Sequence, residues 1–176
     1  MFEPSFLKPE KVLSQLKIKD NMIAADFGSG AGGWAIPLAK RLEEGKVYAV
    51  DVQQEMLSAL ISQASLENVL NIETIHYDLE HPDGIDLIDN FFDIVIMTNL
   101  LFQLENKEGV IKEASRLLKK GGQLLVVDWK KSSKLGPKQG KVSKGDVEYI
   151  AKEADFKLEK EFDAGDHHFA QVFTRL

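Results

Sequence analysis

No cysteine occurs among the 176 residues. Disulfides, thiolate metal sites and cysteine nucleophiles are therefore excluded, and a reducing compartment is compatible with the composition. Positive charge is in deficit: 22 Lys and Arg against 28 Asp and Glu leave a formal net charge of −6. That balance disfavours general attraction to nucleic acid or to an anionic membrane surface. No apolar run approaches the ~18 residues of a membrane-spanning helix. The opening Met-Phe-Glu-Pro-Ser-Phe-Leu-Lys-Pro-Glu carries an early acid and two prolines instead of a signal-peptide core. These absences lead to the expectation of a soluble, cytoplasmic protein. What is present is a 44% hydrophobic content, enough at this length for one domain spanning 1–176 and leaving little room for a second.

Short β-branched apolar runs alternate with longer segments of helical period. The runs are residues 22–27, 46–51, 71–77, 92–98 and 123–128. Between them, residues 34–43, 53–64 and 107–119 space their apolar positions as helices do, and the stretch before Phe92 is shorter. This alternation predicts βαβ units and a parallel sheet. Pro37 falls in the opening turn of its helix, where the missing amide has no intrahelical partner. Gly45 and the pair Gly121-Gly122 are read as helix stops, with Lys119 and Lys120 at the negative end of a helix dipole.

The chemistry-bearing segment is Asp-Phe-Gly-Ser-Gly-Ala-Gly-Gly (26–33), an apolar strand turning through glycines into a helix. Glycine permits positive φ and lets a ligand approach backbone without meeting a Cβ, while the free N–H groups opening the helix offer donors. A nucleotide-bearing cofactor is the expected occupant. Gly28, Gly30 and Gly33 also satisfy the G-x-G-x-x-G of dinucleotide binders, so this segment alone leaves the cofactor open. Each strand closes on Asp or Asn: Asp26, Asp51, Asp78, Asn99 and Asp128. Ligands of open parallel sheets bind outside the strands' carboxyl ends, so these five side chains are expected along one edge.

Residues 130–144 hold Gly, Pro, Ser and six lysines and read as a polar loop without a core face: a solvated loop, a lid or a patch for an acidic substrate. Ser143 is the expected cap of a helix to about Ala154. Residues 156–162 and 169–174 are too close in sequence for a parallel crossover and are expected to form an antiparallel hairpin. Asp163, Asp166, His167 and His168 crowd its turn, but adjacent histidines of an extended chain point to opposite faces, and no metal is expected.

These motifs together resemble the class I S-adenosylmethionine-dependent methyltransferases over nearly the whole chain. Residues 26–32 resemble that family's D-x-G-x-G-x-G loop and Tyr-Ala-Val-Asp-Val (48–52) its acidic second-strand end. His-Tyr-Asp-Leu (76–79) resembles its third-strand acid, and residues 92–99 with 118–128 its fourth and fifth strands. The resemblance implies an α/β, Rossmann-like three-layer sandwich whose seven-stranded, mostly parallel sheet runs 3-2-1-4-5-7-6 with strand 7 antiparallel. It implies S-adenosyl-L-methionine as cofactor, S-adenosyl-L-homocysteine as product, and direct in-line transfer to a small-molecule acceptor. Carried over residue by residue, Gly28 and Gly30 admit the cofactor and Asp26 lies near its ammonium. Asp51 accepts from the ribose hydroxyls, Asp78 from the adenine amino group, the Leu79 amide faces the ring, and the Asn99 carbonyl faces the ammonium. Phe27, Ser29 and Val52 complete the cofactor-binding set.

A sulfonium already activates the methyl, so a catalytic base is not required. The candidates for one are His167, His168, Asp128 and His76, and no catalytic residue is assigned. Thr98-Asn99-Leu100-Leu101-Phe102 is not the Asn-Pro-Pro-Tyr type that methylates nucleobase amines, which weighs against nucleic acid. Ala154-Asp155-Phe156 stands where relatives often have Ala-Gly-Phe. The general look is that of the small ubiquinone/menaquinone-type methyltransferases, without a motif that fixes the acceptor. Alternatives are a protein or RNA methyltransferase and an inactive cofactor-binding regulatory module. A nicotinamide oxidoreductase is weighed against by Tyr149 and Lys152, which lack the Tyr-x-x-x-Lys spacing. Oligomeric state is not legible.

Overall fold

A computed structural model describes residues 7–176, so the first six positions of the stretch read above for a targeting signal lie outside the described residues. Seven strands form one sheet: β1 (Ile23–Phe27), β2 (Lys46–Asp51), β3 (Ile72–His76), β4 (Phe92–Thr98), β5 (Leu118–Trp129), β6 (Phe156–Asp163) and β7 (His168–Arg175). Their order is β3-β2-β1-β4-β5-β7-β6. The first five pair in parallel, and β7 is antiparallel to both β5 and β6. This is the expected topology.

Central strands with both faces covered read as continuous apolar runs. In β4, Ile94 and Ile96 join Leu125 and Val127 of β5 in packing with Leu13, Leu38 and Leu60 on one face. These come from α1 (Pro9–Leu13), α2 (Ala35–Ala39) and α3 (Gln54–Leu66). The intervening Val95 and Met97 pack on the other face with Val110, Ile111, Ala114, Val147 and Ala151, from α4 (Lys107–Leu117) and α5 (Lys144–Glu153). Period-two alternation of side chains divides one strand between two cores.

Several boundaries differ from expectation. Only Ala35–Ala39 of the segment expected over 34–43 is α-helical; single turns carry the chain on to Leu42. Helix α4 ends at Leu117, because Leu118 is already extended and pairs with Phe92. Lys119 and Lys120 therefore do not cap a helix, and Lys119 instead meets Asp93 at 2.8 Å. The stretch before Phe92 forms turns without a helix, bound to α4 by the Arg116 guanidinium. That group donates to the carbonyls of Ile85 and Leu87, both at 2.9 Å, and to the Asp89 carboxylate at 2.7 Å. Helix α1, with Pro9 in its first turn, and a 3-10 turn at Leu101–Gln103 were not expected.

Ser143 caps α5 as expected: its hydroxyl accepts from the Asp146 amide while the Asp146 carboxylate accepts from the Ser143 amide, a reciprocal box. Past its end, Asp155 takes φ +62, the left-handed position that glycine usually fills. No helix among the described residues is long and apolar enough to cross a membrane.

Candidate functional site

Where β1 ends, the amides of Gly28 and Ser29 donate to the Val50 carbonyl at 2.8 and 3.0 Å, hooking the glycine loop onto β2. Gly28 and Gly30 take φ of +73 and +52. Their reasons for being glycine differ. A Cβ on Gly28 would lie 2.7 Å from Leu100 Cδ1, whereas one on Gly30 would meet nothing within 4 Å. Close packing demands Gly28; bare backbone facing open space is found at Gly30.

The Gly30 amide donates to Asp51 Oδ2 at 2.8 Å and the Gln53 amide to Oδ1 at 2.9 Å. Two backbone donors thus fix the carboxylate at the end of β2, and each oxygen retains a lone pair for a ligand. Beyond it lies a cleft of about 300 Å³, lined among others by Gly28, Gly30, Asp51, Val52, Asp78 and Leu79. Asp78 is oriented by accepting from the Glu80 amide at 2.9 Å. Six of the ten residues named from sequence line this one cleft. Phe27 is fully buried, its side chain part of the core.

Asp26, Ser29, Asn99 and Asp128 do not line the cleft. Asn99 follows β4 with φ +51, its backbone carbonyl accepting from Gln103 Nε2 at 2.7 Å. Asp26 is fully buried. Neither of its oxygens, nor Ser29 Oγ, nor Asn99 Oδ1, has a hydrogen-bond partner among the described residues. Burial first, and the negative charge of Asp51 second, push the Asp26 carboxyl up to about 8; the Ala35 amide faces it without closing a hydrogen bond and offsets only part. Asp128 departs from the expected row. It is fully buried beside the 3-10 turn, accepting from the Trp129 amide at 2.7 Å and the Phe102 amide at 3.4 Å. Burial raises it to about 6, and it does not line the cleft.

Buried polar groups without hydrogen-bond partners are costly unless a ligand supplies the missing partner. Asp26, Ser29 and Asn99 are such a set, next to a carboxylate with lone pairs to spare and a stretch of bare backbone. Those residues fit a ligand with a cationic tail and a hydroxylated nucleoside.

The other base candidates sit elsewhere. His76 Nε2 is 3.0 Å from the Val52 carbonyl and His167 Nδ1 3.1 Å from Ser133 Oγ. His168 is buried against Trp129, ring centroids 4.1 Å apart; burial foremost, then the charges of His167 and Lys130, bring it down to about 4. Among the described residues no three His, Asp or Glu gather as metal ligands do.

Residues 130–144 do have a core face, contrary to expectation: Val142 is buried in the α4/α5 core, and a Cβ on Gly136 would collide with the Trp129 ring. Lys141 Nζ donates to the carbonyls of Ser133 and Leu135 at 2.7 and 2.9 Å and stands 6.0 Å over Trp129. Lys130, Lys131 and Lys144 pair with Asp163, Asp146 and Glu161. Composition hid this order, because lysines that bind carbonyls look the same in sequence as solvated ones. An open groove of about 590 Å³ runs between this loop and the 3-10 turn, walled by Phe102, Leu104, Pro137, Lys138 and Gly140. Gln103 and Leu104 line both this groove and the cleft. Sequence reasoning missed Gln103; its signal was a position one helical turn beyond Asn99.

Comparison with known proteins agrees with this geometry. The methyltransferase domain family matches residues 24–122. The ubiquinone/menaquinone biosynthesis C-methyltransferase of Hydrogenovibrio crunogenus is 29% identical over 115 residues, 65% of this chain and 44% of that protein. The demethylmenaquinone methyltransferase of Bacillus mycoides is 30% identical over 129 residues, 72% of this chain and 53% of that one. The chain thus spans about half the length of the curated relatives it matches. The crystal structure of a SAM-dependent methyltransferase from Aquifex aeolicus superposes with a TM-score of 0.87 at 28% identity, covering 97% of this chain and 90% of that one.

Proposed function

As the chain belongs to the methyltransferase domain family, within the class I S-adenosylmethionine-dependent fold, we propose that it transfers a methyl group from S-adenosylmethionine to a small-molecule acceptor bearing an electron-rich ring. The observation that carries this reading is the cleft at the carboxyl edge, lined by a doubly anchored Asp51 with Gly30 and Asp78, while the neighbouring strand ends hold buried polar atoms of Asp26, Ser29 and Asn99 without partners. When bound, the cofactor supplies a methyl already activated by a sulfonium.

The chain's own residues bind and orient. Asp51 accepts from the two ribose hydroxyls with the lone pairs its backbone donors leave free. Asp78 and Leu79 hold the nucleobase, and Gly30 lets the tail pass close to the backbone. Asp26 and Asn99 take the ammonium. A ring-bearing acceptor is supported by the apolar wall of Phe102, Leu104 and Pro137 beside the cleft, and by the quinone-pathway names of the two relatives.

Calorimetry with S-adenosylhomocysteine, followed by a labelled-methyl assay over a panel including demethylated quinols, simple phenols and aliphatic amines, tests the proposal. Product binding plus label on a ring-bearing acceptor supports it. Label on aliphatic amines alone rejects the acceptor class; binding without turnover in any cell extract points to a cofactor-binding module. No binding of the homocysteine product rejects the donor.

A further inference from the structure

Resting on the donor reading above, we infer that the Gln103 side chain is a stand-in for the cofactor's amino group: its amide holds the Asn99 carbonyl until the cationic tail takes that place, and then turns to the acceptor groove. The carbonyl has one hydrogen bond among the described residues, the 2.7 Å bond from Gln103 Nε2. It belongs to neither β4 nor the 3-10 turn, since Asn99 leaves the strand at φ +51 and the Gln103 amide nitrogen of the backbone bonds Leu100 instead. Phe27 pairs with Met97, so Asn99 lies beside the glycine loop.

Buried polar groups on the neighbouring strand ends are left without partners. Asp26, Ser29 Oγ and Asn99 Oδ1 are all partnerless. The Gln103 amide gives the Asn99 carbonyl a neutral hydrogen bond and reaches none of these atoms, whereas an ammonium brings three donors and a charge and makes the stronger bond. The incoming cation therefore displaces the amide. Gln103 is exposed, so little packing opposes its departure.

Where the side chain goes follows from its place. Gln103 is common to the 300 Å³ cleft and the 590 Å³ groove, so an amide released from the first is free to offer a donor and an acceptor in the second. Cofactor binding then completes the polar lining of the acceptor groove, and by linkage a bound acceptor strengthens cofactor binding.

The test needs no acceptor. Wild type, Gln103→Ala and Gln103→Leu are titrated calorimetrically with S-adenosylhomocysteine and with 5′-methylthioadenosine, which shares the thioether nucleoside but lacks the ammonium and carboxylate. Removing the stand-in should tighten S-adenosylhomocysteine about fivefold, one net hydrogen bond's worth, and leave methylthioadenosine unchanged. Equal shifts for both ligands, no shift for either, or weaker S-adenosylhomocysteine binding would each overturn the inference, the second reducing the bond to local capping of the turn. Wild-type protein that binds neither ligand sinks the donor reading itself, and this inference with it.

Discussion

Gly30 donates its amide hydrogen to Asp51 Oδ2 at 2.8 Å, so the glycine loop and the acid that ends β2 are one unit. A substitution at either residue acts on both. Asp51→Ala removes the acceptor proposed for the ribose hydroxyls and unfastens the loop that exposes backbone to the cofactor. Affinity for S-adenosylhomocysteine should fall by about 1.5 to 3 kcal/mol, the scale of hydrogen bonds to a charged acceptor. Calorimetry on folded variant protein decides the matter, and unchanged affinity removes Asp51 from the site.

The two glycines of the loop should separate stability from binding. Gly28→Ala adds a Cβ 2.7 Å from Leu100 Cδ1 at φ +73, combining overpacking with a left-handed backbone. A loss of about 2 to 4 kcal/mol in urea unfolding is expected. Gly30→Ala carries only the left-handed cost, about 1 to 2 kcal/mol, because its Cβ enters open space. Its methyl stands where the ligand approaches, so S-adenosylhomocysteine affinity should drop at least ~10-fold. A Gly30→Ala protein that binds normally would show that the backbone there is not part of the cofactor's bed.

The strands of the parallel half were legible because each carries a β-branched run with an acid or amide at or just past its end, and most are followed by a helical segment; their order in the sheet was legible only through the family resemblance of those motifs. Gly28, Gly30, Asp51, Val52, Asp78 and Leu79, which line the cleft, were named through the resemblance of the motifs at and just beyond the strand ends. Position along the chain does not tell how deep a group sits. Asp128 has the same strand-end signature as Asp51 yet is covered by the 3-10 turn, and that turn, three residues long, has no period to read. Lys141 likewise gains its role from the carbonyls folded around it; nothing in its neighbours' residue types announces them.

Asp26 should make stability depend on pH. Its folded pKa is raised from 3.8 to about 8, so between those values the native state holds a proton that the unfolded chain has released. The contribution is fully present below the unfolded value and is lost as pH rises through the folded one. Wild type should therefore lose stability relative to Asp26→Asn by about 2 kcal/mol or more from about pH 5 to about pH 7. Urea unfolding at the two pH values measures it; parallel curves would mean that Asp26 is already ionised. A cation bound beside Asp26 favours the carboxylate, so cofactor binding near neutral pH should release a proton, detectable as a calorimetric heat that varies with the buffer's ionisation enthalpy.

Asp155 occupies the left-handed position after α5 at φ +62, and its backbone carbonyl accepts from the Leu176 amide at 2.9 Å. An aspartate is strained there and glycine is not, though glycine has more unfolded-state freedom to lose. The balance favours Asp155→Gly by about 0.5 to 1 kcal/mol. A melting temperature equal to or below wild type would show that the side chain contributes something at that turn which the backbone argument omits.

Lys141 is expected to hold the loop that walls the acceptor groove. Its ammonium joins two carbonyls from the far side of the loop and stands over the Trp129 ring, while its stem lies half-buried. Lys141→Met keeps most of that stem and removes the donors and the charge, so packing changes little and the loop's cross-link is lost. Hydrogen bonds from a charged donor contribute about 1.5 to 3 kcal/mol each at most, and a loop freed of two of them should open locally long before the sheet does. Trypsin should then cut faster at the exposed Lys134 and Lys138, and indole emission should shift. Of the two tryptophans, Trp34 is buried at 8% exposure and packs with α1 and α2, so the shift reports on Trp129. S-adenosylhomocysteine affinity should stay as it is, because none of residues 130–144 lines the 300 Å³ cleft. Cleavage and emission identical to wild type would mean that Val142 and the packing of Gly136 on Trp129 hold the loop without the ammonium, and the wall of the groove would then be apolar in origin.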